Sequence, residues 1–90
     1  MATRRVTVRN ELGLHARTAT RLAECASRFG CEVWMSHQQK RVNGKSIMGI
    51  LTLAAGPGME VRLETRGQDE RQALAALVEL IESGFGEPEI

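Results

Sequence analysis

"RRVTVRNELGLHARTATRLAECASRFGCEVWMSH", Arg4 to His37, changes its hydrophobic period twice, and those changes decide the architecture. At its start Val6 and Val8 point one way and Arg5, Thr7 and Arg9 the other, the alternation of a half-buried strand. "NELG" breaks that pattern. From His15 onward Ala19, Leu22, Ala23, Ala26 and Phe29 recur at helical spacing, with Arg17, Arg21, Glu24 and Arg28 off the stripe. Gly30 is the expected stop, supplying a left-handed C-cap without steric cost. "CEVWMSH" then alternates again, with Cys31, Val33 and Met35 on one side.

The rest of the chain extends this strand–helix–strand start. "QQKRVN" reads as a short strand reached by a turn around Ser36 to Gln39, and Asn43-Gly44 marks a second turn. Ser46 is a preferred N-cap for "SIMGILTLAA", in which Ile47, Ile50 and Leu51 form a helical stripe and Met48 sits off it. "GPG" (56–58) ends that segment. In "MEVRLETR" Met59, Val61, Leu63 and Thr65 share one face. Asp69 with Gln72 predicts a capping box for a last helix whose inner face is Leu74, Leu77, Val78 and Ile81; Gly84 stops it, and "GEPEI" reads as a frayed tail. The order β-α-β-β-α-β-α predicts an α+β fold, one mostly antiparallel sheet with helices on a single face, and the length predicts one domain over residues 1–90.

Composition narrows the function classes. No apolar run approaches the roughly 20 residues of a membrane span, and "MATRRVTVRN" lacks an apolar stretch after its basic residues, so no secretory signal is read and the cytoplasm is expected. Cys25 and Cys31 are expected as free thiols, and their spacing fits no zinc motif, so neither metal nor cofactor is expected. Residues 1–30 carry six Arg against two Glu, whereas residues 61–90 carry three Arg against seven acids. A basic first third attracts phosphate groups, nucleic acid or an acidic protein. One Trp, two Phe and no Tyr leave little on which to stack bases.

His15 stands just before a helix start, where unpaired N–H groups and a partial positive charge favour anions. A neutral imidazole is a nucleophile that can take a phosphoryl group. A phosphate there would meet the N–H groups of Ala16 and Arg17, the Arg17 guanidinium could add charge-assisted bonds, and Gly13 is expected to keep the approach clear. The plain alternative is a polar residue on a solvated turn; His37 lacks comparable surroundings and is read as an ordinary loop or strand residue.

"GLHAR" followed by "TATRLAE", then "NGKSIMGILTLAAGPG" and "ETRGQDERQALAALVELIESGF", together resemble the HPr family, the small histidine phosphocarriers of the bacterial phosphotransferase system. The resemblance runs over essentially the whole chain. It implies an open-faced β-sandwich with a four-stranded antiparallel sheet and three helices on one face. It implies phosphorylation of His15 on Nδ1 by enzyme I, which draws phosphate from phosphoenolpyruvate, and passage to a histidine of an enzyme IIA protein. Arg17 matches the arginine beside the phosphohistidine. The chemistry is then shared with the partners, making the chain a carrier more than a stand-alone enzyme.

Ser46 matches the serine phosphorylated by HPr kinase/phosphorylase, a role compatible with its N-cap reading. Ile47, Met48 and Leu51 at helical spacing read by themselves as core. The resemblance instead implies that Ile47 and Met48 lie exposed beside His15 and, with Ala16, Arg17, Thr20, Arg21 and Leu51, meet partner proteins. A monomer is expected. The family usually has Pro after the arginine; here Thr18 restores an N–H and a hydroxyl but is expected to loosen the turn. "KSIMG" keeps the kinase-site pattern, while "ALVELIESGFGE" resembles the nitrogen-related, NPr-like regulatory branch; sugar transport and that branch both stay open, with the reading leaning to the regulatory one. The competing reading is a small non-catalytic module that binds a polyanion through its basic first third.

Overall fold

β4 (Glu60–Arg66) organises the sheet because it pairs on both sides, with β1 (Ala2–Thr7) and with β2 (Glu32–His37), and β3 (Lys40–Asn43) closes the far edge. All three pairings are antiparallel and the strand order is β1-β4-β2-β3. A computed structural model describes residues 1–87. The helices are α1 (Ala16–Ser27), α2 (Ile47–Thr52) and α3 (Glu70–Glu82), followed by a 3-10 turn at Gly84–Gly86. The expected order β-α-β-β-α-β-α and the single open antiparallel sheet are observed.

Alternation explains which face the helices cover. Val6, Val33, Met35, Val61, Leu63 and Thr65 are buried on one side of the sheet. They meet Ala19, Leu22, Ala23 and Ala26 from α1, Ile50 from α2 and Ala73, Leu77, Val78 and Ile81 from α3. Each large apolar side chain buried this way contributes about 1.5–3 kcal/mol against chain entropy. On the opposite face Arg5, Arg62, Ser36 and Arg41 stand in one cross-strand row. At the end of that row Arg41 lies 4.2 Å over the Trp34 ring and 3.4 Å from Glu64, which it helps to cover.

Several local expectations are corrected. Gly30 is not a left-handed cap: α1 ends at Arg28 in right-handed geometry, and the Gly30 N–H instead donates to Asp69 Oδ2 at 3.0 Å. Asp69 makes no capping bond to α3, because its other oxygen accepts the Cys31 N–H at 3.0 Å; the side chain staples the start of β2 to the start of α3. Met59 falls before β4 and is exposed. α2 stops at Thr52, before "GPG", where Ala54 takes a left-handed φ of 54°.

The largest difference is at the carboxyl-terminal side. Gly84, Phe85 and Gly86 all have positive φ, at 69°, 58° and 73°. Three left-handed residues in succession turn the chain at the end of α3, and Phe85 is buried in the core at 1% exposure. A left-handed non-glycine residue costs about 1–2 kcal/mol, less than or comparable with what burying a Phe side chain returns. Gly86 stays exposed on the turn, but Glu87 is docked, not frayed; residues 88–90 of the expected tail lie outside the described residues.

Candidate functional site

The site begins with the backbone of His15, which is extended (φ −109°, ψ −173°) and caps α1. Its Nδ1 accepts the Arg17 N–H at 3.3 Å, and its carbonyl accepts the Ala19 N–H at 2.8 Å. Thr18 completes a reciprocal cap: its Oγ1 accepts the His15 N–H at 3.0 Å and can donate to the Gly13 carbonyl at 3.0 Å. Thr18 is fully buried. The expectation that Thr18 loosens the turn is thus overturned, since its hydroxyl ties the turn together from inside.

Gly13 has a different task from the one expected. It sits at φ +69°, and an added Cβ would stand 2.8 Å from the Ala55 carbonyl oxygen and 2.9 Å from Gly56 Cα. The glycine allows the loop after α2 to press against the loop before α1, with Leu14 N–H donating to Ala55 O at 2.9 Å. It sets the position of His15 without itself clearing a path to the ring.

Glu87 is the participant that the sequence reading missed. Its Oε1 lies 3.1 Å from His15 Nε2 and accepts from Asn10 Nδ2 at 3.2 Å. Asn10 is fully buried and also donates to Gly13 O at 2.7 Å. The tautomer follows from the partners: Nδ1 faces an amide donor and carries the lone pair, while Nε2 faces a carboxylate and carries the proton. The His15 hydrogen bond, helped by that from Asn10 and by the Arg17 charge, holds the Glu87 carboxyl below the usual range against the opposing effect of partial burial.

Arg17 remains available. Its Nη1 is 4.0 Å from Glu87 Oε2, and its side chain is 73% exposed. Arg21 is less free than a solvated helix face would leave it, since its guanidinium donates to the Phe85 carbonyl. A shallow cleft beside the ring is lined by Glu11, Leu12, His15, Ala16, Arg17 and Glu87. Among the described residues no group of three or more His, Cys, Asp or Glu is arranged to hold a metal ion.

Ser46 caps α2 as expected, its Oγ accepting the Gly49 N–H at 3.1 Å. α2 packs against α1. Of its apolar residues only Ile50 is buried; Ile47 is 40% and Met48 71% exposed, and Leu51 is partly buried. The reading of Ile47 and Met48 as core fails because a six-residue helix lying over the edge of the core turns only one residue fully inward. Leu12, also strongly exposed, adds to the apolar surface near the ring. Ala16 is exposed, and Thr20 is partly buried with its hydroxyl donating to Ala16 O at 2.7 Å.

A family profile described as the PTS HPr component phosphorylation site matches residues 2–83. The phosphocarrier protein HPr of Neisseria meningitidis serogroup A is 51% identical over 80 residues, covering 89% of this chain and 90% of that protein. A crystal structure of HPr-C-His from Thermoanaerobacter tengcongensis superposes with a TM-score of 0.93 at 45% identity, covering 97% of this chain and 98% of that one. An HPr dimer from the same organism gives a TM-score of 0.78 at 46% identity, covering 91% and 94%. With a profile spanning nearly its whole length and close agreement in sequence and fold, the chain belongs to the HPr family of phosphocarrier proteins.

Proposed function

We propose that this chain accepts a phosphoryl group on His15 Nδ1 from enzyme I, itself charged by phosphoenolpyruvate, and hands it to a histidine of an enzyme IIA protein. The observation that carries this reading is His15 Nδ1 facing the Arg17 N–H at the start of α1, with the exposed Arg17 guanidinium on the same turn. As the phosphoryl group arrives, the Arg17 N–H exchanges Nδ1 for a phosphoryl oxygen, and the guanidinium balances the added charge. Phosphoryl transfer depends chiefly on position and electrostatics, and both are supplied here at an accessible surface.

Partners dock on Ala16, Arg17, Thr20, Arg21, Ile47, Met48 and the exposed edge of Leu51, an apolar patch rimmed by cations. Ser46 is the regulatory position, modified by HPr kinase/phosphorylase. A phosphate at this cap adds about two negative charges to the docking face and slows acceptance from enzyme I. The chain works as a cytoplasmic monomer, in the nitrogen-related regulatory branch of the system rather than in sugar import. The polyanion-binding alternative gains no support: Arg4 and Arg5 each lie beside a carboxylate, at 3.6 Å from Glu82 and 4.0 Å from Glu60, and Arg21 is bonded to the Phe85 carbonyl.

The test is incubation with labelled phosphoenolpyruvate and several enzyme I paralogues, followed by acid treatment. Acid-labile label that disappears in His15→Ala is the expected result; acid-stable label, or label retained by His15→Ala, refutes it. Ser46→Asp, which keeps a capping side chain, is expected to slow labelling, and an unchanged rate counts against the switch. Light scattering under labelling conditions is expected to give the mass of one chain, with a two-chain mass excluding the monomer.

A further inference from the structure

We infer that Glu87 is a positioning residue for phosphoryl transfer, its carboxylate keeping the proton on His15 Nε2 so that Nδ1 is presented as the nucleophile and the ring leaves as neutral imidazole. The inference rests on the carrier reading of His15 and adds to it a residue 72 positions away in the chain.

The arrangement is built, not incidental. Phe85 is locked in the core by a left-handed turn, and Arg21 holds the Phe85 carbonyl. Two residues later Glu87 Oε1 meets both His15 Nε2, at 3.1 Å, and the buried Asn10 amide, at 3.2 Å. Asn10 is anchored in turn on Gly13 O. Glu87 keeps only 12% of its side chain exposed, and its Oε2 is buried without a hydrogen-bond partner. A partly buried carboxylate with one oxygen unsatisfied is costly unless the other meets a charge. Arg17 Nη1, 4.0 Å from Oε2, supplies charge on that side, and the phosphorylated ring supplies it at Oε1.

The electron count is simple. The Nδ1 lone pair forms the new P–N bond while the P–N bond of the donor phosphohistidine breaks and its pair stays with the donor nitrogen. Nε2 keeps its proton throughout, so the His15 ring becomes cationic, and Glu87 faces that cation directly. On onward transfer the pair of the P–Nδ1 bond returns to Nδ1, and the ring is left neutral. Without the Nε2 proton the leaving group would be an imidazolate, which is far poorer. Arg17 and Glu11 are the other charged side chains lining this cleft; Arg17 is placed to answer the phosphate and Glu87 the ring.

The test compares the full chain with Glu87→Ala and Glu87→Gln. Heteronuclear NMR of the imidazole nitrogens reads the tautomer before any phosphate is added. Labelling from a phosphorylated histidine donor at varied carrier concentration separates kcat from KM. The Nε2–H form is expected to dominate in the parent and to become mixed in Glu87→Ala, with kcat for acceptance falling about tenfold, equivalent to about 1.4 kcal/mol, and KM unmoved. Glu87→Gln, whose amide oxygen still accepts from Nε2–H without the charge, is expected to hold the tautomer and still lose rate, which a merely structural tail would not do. An unchanged tautomer in Glu87→Ala, or parental kcat in both variants, overturns the inference while leaving the carrier reading intact. Label retained by His15→Ala overturns the carrier reading and the inference with it.

Discussion

Replacing Thr18 with Val keeps the side-chain shape and removes only the hydroxyl, so it isolates the cap. That hydroxyl accepts the His15 N–H at 3.0 Å and has one proton to share between Gly13 O, at 3.0 Å, and His15 O, at 3.2 Å. Two hydrogen bonds are lost, each worth about 0.5–1.5 kcal/mol net. The desolvation penalty on the groups left behind is limited. The His15 N–H still reaches Gly13 O at 3.2 Å, and Gly13 O keeps the Asn10 amide at 2.7 Å. The expected loss is therefore about 1–2 kcal/mol, the range of a removed N-cap. For a domain of this size it corresponds to a fall in Tm of roughly 5–15 °C. Thermal and urea unfolding measure the loss, and the His15 amide resonance reports the bond itself. That resonance is expected to move in Thr18→Val and to stay in Thr18→Ser, which keeps the hydroxyl. A loss under about 0.5 kcal/mol, or an unmoved His15 amide in Thr18→Val, would refute the reasoning.

Phe85→Ala is expected to cost about 3–5 kcal/mol, because the ring is 1% exposed and its backbone already carries left-handed strain; a urea-derived loss below about 1 kcal/mol would show that the turn is not anchored by the ring. Stability is expected to fall in acid. Asp69 is lowered chiefly by the Gly30 N–H, Glu70 by the Gly67 N–H and Glu87 by His15, so each carboxyl binds a proton less readily in the folded chain than in the unfolded one. Their contribution is complete above the ordinary carboxylate range of about 3.9–4.3 and fades as pH drops through the lower folded values; unfolding midpoints across that range test it, and Asp69→Asn should flatten the profile. Cys31 is expected to react slowly with thiol reagents in the native chain, since burial first and Asp69 second push its thiol up; labelling as fast as in urea would contradict this.

The strands and helices were legible because burial imposes a period. Val6 and Val8, or Leu77, Val78 and Ile81, reach the core only from the faces on which the pattern puts them. Caps were legible only where a side chain serves its own helix. Ser46 does so, whereas Asp69 has the right residue type but spends both oxygens on the backbone of Gly30 and Cys31, a contact between distant segments that no local pattern announces. His15 and Arg17 were read from residue type as standing at a helix start, and that is where they lie. Glu87 was not, because a Glu in a short Gly- and Pro-containing tail looks like solvent-facing chain. The available signal was Phe85, a large apolar residue between two glycines: such a residue has a reason to return to the core, and whatever follows it is carried along.

The two helix starts on this face use the same backbone grammar for different chemical ends. At both, the capping residue is extended and its side chain accepts an N–H from the first turn, at 3.3 Å for His15 and 3.1 Å for Ser46. At His15 the accepting lone pair is also the nucleophile of the carrier reading, so phosphorylation must break the cap bond. The long Arg17 N–H contact is cheap to break, and a phosphoryl oxygen can take its place at the end of the helix where the dipole favours an anion by about 0.3–1 kcal/mol. That gain is small enough not to trap the group, and the P–N bond to an imidazole is itself labile. At Ser46 a phosphate would be joined through an ester oxygen and would leave only by hydrolysis or by a dedicated enzyme. On the carrier reading one cap geometry would thus suit a passing charge at His15 and a persistent one at Ser46, the difference residing in the atom that bonds phosphorus.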